Sequence, residues 1–282
     1  MAVKFLTPCR LAALILLISA PAARAETKPF VIVSDVDDTA KITNVLNHKN
    51  AVVNGITGMT PFAGIPELYR QLAQSSIDAG LKDLVPLIFL SGSPDLVELS
   101  VELFIKENGF PKSRLVIKDS KELVTELKNH EFLKADATEK YKEIRLEALV
   151  KEMDTPFLLL GDDTELDPLA LTRFATAHPD HSLQIYIHKV TGREIAESVT
   201  TYYTAFEVAL SEVEAERLTP AQAVEVGKVI VSDATKPETV FPAFAECPKV
   251  LTYDPKYKNS DPALIDMKQK VQARVQTICA QR

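Results

Sequence analysis

Short apolar runs that break off into small or acidic residues set the pattern of this chain. Phe30-Val31-Ile32-Val33 ends in Ser34-Asp35-Val36-Asp37-Asp38-Thr39, Leu84 to Leu90 in Ser91-Gly92-Ser93-Pro94, and Phe157 to Leu160 in Gly161-Asp162-Asp163. Arg114–Ile117 and Leu183–Ile187 are shorter runs of the same kind. β-Branched and aliphatic residues without alternation read as strands covered on both faces. Between the runs, apolar residues recur at helical spacing: Leu68, Leu72 and Ala73; Leu96, Leu99, Leu103 and Phe104; Ile144, Leu146, Leu149 and Val150; and the stretch Leu169 to Ala177. Strands alternating with helices predict an α/β fold, a Rossmann-like three-layer parallel sheet.

Two segments depart from this rhythm. Ala40 to Pro61 holds Asn47, Asn50, Asn54, Gly55 and Gly58 among short apolar pieces, and reads as a loop or small hairpin flap beside the acids. Asp119 to Thr138 is rich in lysine and glutamate and mixes helix with loop. From about Glu194 no strand alternation remains; Ala205, Val208, Ala209 and Val213 mark a helix, Thr219-Pro220 opens another, and Ser260-Asp261-Pro262 opens a last one. The expected organisation is an N-terminal leader over 1–25, an α/β domain over 26–193 and a helical C-terminal extension over 194–282.

The leader is read from Lys4 and Arg10, the apolar stretch Leu11 to Ala20, and Ala23-Arg24-Ala25, a signal-peptidase pattern with cleavage expected after Ala25. Export to the periplasm or beyond is therefore expected, with no transmembrane segment once the leader is removed. Loss of Lys4, Arg10 and Arg24 moves the net charge from −7 to −10. So acidic a body is not drawn to nucleic acid, and an anionic substrate must be held by local cations. Cys247 and Cys279 are the cysteines left after cleavage, which in an exported protein suggests a disulfide. The five histidines are scattered without metal spacing and read as surface or structural residues.

The acids at the strand ends carry the chemistry. Asp35, Asp37 and Asp38 would repel one another unless a cation sat among them, and the carboxyl ends of an open parallel sheet are where ligands bind. Asp35-x-Asp37-x-Thr39, Ser91, a lysine near Lys142, and Asp162 with Asp167 supply what phosphoryl transfer to an aspartate requires. A carboxylate attacks phosphorus, a second acid handles the proton, a hydroxyl and a lysine hold phosphoryl oxygens, and acidic residues from another loop complete an oxygen-only Mg²⁺ site.

Those pieces in that order resemble the haloacid dehalogenase-like hydrolase superfamily. Ser34-Asp35-Val36-Asp37-Asp38-Thr39-Ala40-Lys41-Ile42-Thr43, Gly64-Ile65-Pro66-Glu67-Leu68-Tyr69, Leu90-Ser91-Gly92-Ser93-Pro94, Asn108-Gly109-Phe110-Pro111 and Gly161-Asp162 through Asp167-Pro168 look like the phosphatidate phosphatase App1 catalytic-domain family, over roughly Phe30 to Val190. The resemblance implies Asp35 as nucleophile, Asp37 as general acid/base and Lys142 as the residue steadying both nucleophile and phosphoryl group. It implies Ser91, Gly92 and Thr39 at the phosphate, with Mg²⁺ held by Asp35, Asp37, Asp162 and Asp167. Asp167 is also a reasonable helix cap. Lys140 competes for the lysine role, but two residues apart on a helix only one points inward, and Lys142 is the choice. Two departures from the family pattern, Asp95 after Ser-Gly-Ser-Pro and Asp163 after Gly-Asp, add negative charge near an anion site. The implied substrate is phosphatidate or a related lipid phosphate approached at a membrane surface. The alternatives are a small soluble phosphate ester or a non-catalytic binding protein on the same fold. Apolar flap residues, Met59 and Phe62 among them, are the expected lipid-facing surface. Oligomeric state is not legible.

Overall fold

β-Branched and aliphatic side chains in the first run have nowhere polar to go, and the fold is built around covering them. The computed structural model describes residues 28–47, 58–119, 137–196, 199–248, 251, 253 and 257–282. In chain order these form β1 (Val31–Ser34), α1 (Ile65–Asp78), β2 (Leu87–Pro94), α2 (Glu98–Glu107), β3 (Ser113–Lys118), α3 (Ala137–Glu152), β4 (Phe157–Asp162) and α4 (Asp167–Ala177). They continue with β5 (Ser182–His188), β6 (Thr200–Tyr202), α5 (Ala205–Glu214), α6 (Pro220–Val231), α7 (Pro237–Val240) and α8 (Pro262–Ala280).

One six-stranded sheet results, in the order β3-β2-β1-β4-β5-β6, with every neighbouring pair parallel. β1 lies at the centre, paired to β2 on one side and β4 on the other. The chain leaves β1 toward β2 and leaves β4 toward β5, so connections diverge at the β1/β4 boundary. That crevice is where an open α/β sheet offers a ligand site at its carboxyl edge.

The strands alternate faces. Phe30, Ile32, Phe89, Leu158 and Leu160 pack on one side with α1, α5, α6 and α8. Val31, Val33, Ile88, Leu159 and Ile187 pack on the other with Tyr141, Leu146 and Leu149 of α3 and Leu171 and Phe174 of α4. The expected α/β three-layer architecture is what the structure shows. The core also continues past Glu194: Phe206, Val226, Leu264 and Val271 from the C-terminal helices share one cluster with Leu68 and Leu72 of α1. Thr219 caps α6, its hydroxyl accepting from the Gln222 N–H at 3.2 Å, and Asp261 caps α8 through the Ala263 and Leu264 N–H groups.

Several local expectations need correction. β6 was not anticipated after Glu194; three residues are too few for a period to show, and only pairing with β5 makes them a strand. β2 starts at Leu87 rather than Leu84 and runs on through Ser91-Gly92-Ser93-Pro94, which pairs with β3. In the segment after Pro94, Leu96, Leu99 and Leu103 face solvent (83%, 69% and 44% exposed), while Val101 and Phe104 make the buried stripe. Ile144 of α3 is likewise exposed. The two legs of the flap pair at their base, where the Ile42 N–H donates to the Thr60 carbonyl and Lys41 bridges Pro61. Val52, Val53 and Ile56 lie outside the described residues. Phe62 is buried edge-on against His188 and does not face a lipid surface. Among the described residues, no helix is long and apolar enough to cross a membrane.

Cys247 and Cys279 are joined, tying α8 back to the segment after α7 across 32 residues of chain. Closing a loop of that length restricts the unfolded chain by about 3–4 kcal/mol. Replacing both cysteines with serine should therefore lower unfolding free energy by that amount in urea titration, with little change in far-ultraviolet circular dichroism of the folded state.

Candidate active site

β1 and β4 end side by side, and their last residues carry the site. Ser34 pairs with both Phe89 and Leu160, and the Asp35 N–H donates to the Leu160 carbonyl at 2.9 Å. Asp35 thus leaves β1 at the crevice, 8% exposed, beside Asp162 at the end of β4 and Asp167 at the start of α4. Oxygen atoms of Asp35, Asp162 and Asp167 all lie within 4.8 Å of one another, each residue buried. Asp37 stands outside this group. Its carboxylate accepts from the Thr43 hydroxyl at 2.6 Å and the Ser93 hydroxyl at 3.1 Å, and its charge still acts on Asp35.

A lysine answers the three acids. Lys142 on α3 is 3% exposed; its ammonium lies 2.9 Å from Asp35 and also pairs with Asp167. Lys140 faces solvent, so the helix turns Lys142 inward as expected. Burial opposes the Lys142 charge, but Asp167 and Asp35 outweigh it and hold its pKa well above the ordinary lysine value. Burial pushes the Asp35 carboxyl well up; Lys142 opposes that rise, and Asp167 and Asp162 add to it. Asp162 rises for the same reasons, burial first and then Asp167.

Three carboxylates around one ammonium leave an excess of negative charge in a low-dielectric setting, which a divalent cation would neutralise. The donor set is all oxygen, and Asp167 Oδ2 is buried without a hydrogen-bond partner. Both facts fit a hard divalent cation. Asp162 is already aimed: Thr39 donates to its Oδ2 at 2.9 Å, and the Thr164 N–H and hydroxyl donate to Oδ1. Thr39, expected at the phosphate, here orients an acid of this group. Ser91 is buried and accepts from the Ser93 N–H at 3.2 Å, while Gly92 lies between them on the same strand end. The helical turns that follow have no side-chain cap, so Ser91 is not a capping residue. Nor is Asp167, whose carboxylate goes to Lys142.

Most other contributors lie within the quoted motifs, although the sequence assigns them no catalytic role. Beneath Asp35, the Ser34 hydroxyl donates to the Asp35 carbonyl at 2.7 Å. Ser34 has one proton to give, so the buried Tyr69 hydroxyl, 2.6 Å away, must donate to it. Thr43 lies six residues beyond Asp37 in the flap and reaches it only through a turn. That turn is held by Asp38 (φ 55°), whose carboxylate accepts from the Thr43, Asn44 and Val45 N–H groups. Lys41 is fully buried; burial lowers its pKa and Asp37 counters that. His188 is a satisfied structural histidine: burial keeps its pKa low, Nδ1 donates to the Asp38 carbonyl at 2.9 Å, and its ring stacks on Tyr202. Asp163, an added acid after Gly-Asp to which the sequence assigns no catalytic step, shapes its loop: it accepts from the Val190 and Thr191 N–H groups and pairs with Lys189, which neutralises it.

The model of the phosphatidate phosphatase APP1 catalytic domain matches residues 30–189, which takes in every one of these strand-end acids and more than half of the chain. The chain belongs to the App1 catalytic-domain family. No curated protein and no solved structure matches it. The App1 domain ends one residue after β5, so β6 and the C-terminal helices lie outside the matched span. A phosphatidate phosphatase-type domain acts on phosphate esters, and the buried acids with their lysine lie inside it at the sheet edge.

Gly161 makes the close approach of Asp167 possible. A Cβ there would lie 2.6 Å from Asp167 Oδ2 and 2.8 Å from its Cβ, too near for either to stay. Gly161→Ala should displace Asp167 from Lys142 and destabilise the fold by about 1–3 kcal/mol. Phosphatase activity should fall at least about tenfold, in line with an angstrom-scale misplacement. Thermal unfolding and steady-state kinetics measure the two effects.

Proposed function

We propose that this protein is an exported, Mg²⁺-dependent phosphatase that cleaves a lipid phosphate monoester, phosphatidate or a close relative, through a phosphorylated Asp35. The single observation that carries this reading is the buried convergence of Asp35, Asp162 and Asp167 on Lys142, at the sheet's switch point within an App1 catalytic domain.

Asp35, Asp162 and Asp167 would hold the cation, which when bound supplies charge neutralisation for a phosphoryl group approaching a carboxylate. Asp35 attacks phosphorus; its Oδ1 is steadied by Lys142 and its backbone by the Ser34–Tyr69 hydroxyl pair. Asp37 sits apart from the cation group, held by Thr43 and Ser93, and gives its proton to the leaving alkoxide oxygen. The same carboxylate then takes a proton from the water that hydrolyses the acyl phosphate, regenerating Asp35 and releasing inorganic phosphate. Ser91 and the Gly92 backbone line the phosphoryl site from β2.

Export is supported by the leader pattern over 1–25 and by the disulfide, which persists in oxidising compartments; N-terminal sequencing of the mature chain, expected to begin at Glu26, checks it. A binding protein without turnover would have no use for a second, separately held carboxylic acid such as Asp37.

Asp35→Asn should abolish phosphate release and leave the folded circular-dichroism spectrum intact. Asp37→Asn should lose about 10²–10⁴-fold, the usual worth of a positioned general acid. An Asp35→Asn protein that turns over normally overturns the assignment.

Lipid as against soluble substrate is decided at the surface. Leu96 and Leu99 stand in solvent directly after the Ser91–Pro94 strand end, where hydrocarbon beside a bound headgroup would meet them. Replacing both with serine should lower activity on micellar phosphatidate about tenfold, since burying even one leucine side chain contributes about 1.5–3 kcal/mol. Activity on a small soluble ester should stay unchanged; equal loss on both substrates would reject a lipid-facing role.

A further inference from the structure

The C-terminal extension reaches the cation group through one buried acid that takes no part in it. Asp163 is fully buried, one residue after Asp162, and both of its oxygens are engaged. Oδ1 accepts from the Val190 N–H at 2.8 Å and the Thr191 N–H at 2.7 Å, and Oδ2 lies 2.9 Å from the Lys189 ammonium. A second link spans the same two loops, from Arg193 Nη1 to the Glu165 carbonyl at 3.1 Å. The loop carrying Asp162 is thereby fastened to the loop after β5.

That second loop is in turn fastened to the extension. The Glu246 N–H donates to the Val190 carbonyl at 2.9 Å, next to Cys247, whose disulfide partner Cys279 lies on α8. Arg282 at the chain end holds the same segment, donating to the Ala245 carbonyl at 3.0 Å and the Pro242 carbonyl at 2.7 Å. Phe244 from this segment walls a cavity of about 280 Å³ together with Asp38, Leu46, Thr164, Val190 and Thr191. A continuous path of short contacts therefore runs from α8 to Asp162.

We propose that Asp163 is a positioning residue that couples the disulfide-anchored extension to the divalent-cation group, so that the extension sets how tightly the cation is held. This rests on the divalent-cation reading given above. The physical reason is preorganisation. Asp162 can ligate without moving only if its loop is fixed, and a loop held by a buried carboxylate, two backbone N–H groups and a lysine loses little freedom when the cation binds. Groups that orient ligands in this way are typically worth about 10–100-fold in metal affinity.

Isothermal titration of the full chain with Mg²⁺, and in parallel Mn²⁺, tests the coupling without reference to turnover. The native protein should bind one ion at the acidic group. Asp163→Ala should weaken binding about 10–100-fold. Asp163→Asn, which keeps an acceptor for Val190 and Thr191 but loses the Lys189 charge and is the milder change for folding, should weaken it less. Cys247→Ser with Cys279→Ser should shift affinity in the same direction. Val226→Ala, on the buried face of α6, lowers stability without touching either loop and should leave affinity unchanged. Unaltered Mg²⁺ affinity in both Asp163 variants overturns the inference while the phosphatase reading stands. Equal weakening by Val226→Ala also overturns it, because general destabilisation then accounts for the loss. A native protein that binds neither ion removes the cation reading itself, and this inference with it.

Discussion

Three carboxylates share one ammonium at the carboxyl edge of the sheet, and the rest of the structure depends on that imbalance being held in place. Asp35, Asp162 and Asp167 come from three different elements and bring oxygens within 4.8 Å of one another, with Lys142 the lysine that pairs with Asp35 and Asp167 among the described residues. Buried like charges at that spacing cost several kcal/mol unless paired. The pKa values of Asp35 and Asp162 are pushed up first by burial and then further by the neighbouring carboxylates. A fold that kept such a group without a use for it would be better served by apolar residues of the same volume.

The surrounding architecture supplies what the group lacks in self-consistency. β1 and β4, buried on both faces, bring Asp35 and Asp162 into register, and Gly161 gives Asp167 room to close on them. Hydroxyl groups then aim the acids one by one: Thr39 and Thr164 at Asp162, Thr43 and Ser93 at Asp37, and Ser34 with Tyr69 beneath Asp35. Neutral donors can fix a carboxylate's direction without cancelling its charge. Lysine is used once within the group, where charge compensation is needed. Asp37 is thereby separated in role from its neighbours: two hydroxyls hold it, and it stands apart from the cluster that would bind a cation.

The acids that were easiest to see in the sequence divide into two kinds. Asp35, Asp162 and Asp167 converge, whereas Asp38 and Asp163, which look equivalent in composition, bind backbone N–H groups and shape loops. A carboxylate facing two or three N–H groups serves as a staple, and one facing other carboxylates serves as a site. The flap shows the same limit for apolar residues: Phe62 reads as a lipid-facing side chain but is buried against His188, while Leu46 nearby is exposed, as are Leu96, Leu99 and Leu103, which helical spacing had assigned to a core.

The order of apolar runs and the residues at their ends were enough to determine the parallel α/β sheet and the strand-end acids. The family resemblance with the helical period singled out Lys142 over Lys140, and two cysteines outside the leader pattern suggested the pairing of Cys247 with Cys279. These are legible because strand burial, helical period and the chemistry of phosphoryl transfer each constrain residue type over short stretches of chain. Tertiary structure alone decided which acids meet, that Asp37 is held apart by Thr43 and Ser93, that β6 extends the sheet, and that the C-terminal helices share the core of α1 and reach the Asp162 loop through Asp163. The reason is physical. A carboxylate's role is set by what faces it, and deciding partners lie tens to more than a hundred positions away, such as Ser93 for Asp37 and Thr39 for Asp162, where no local period records the contact.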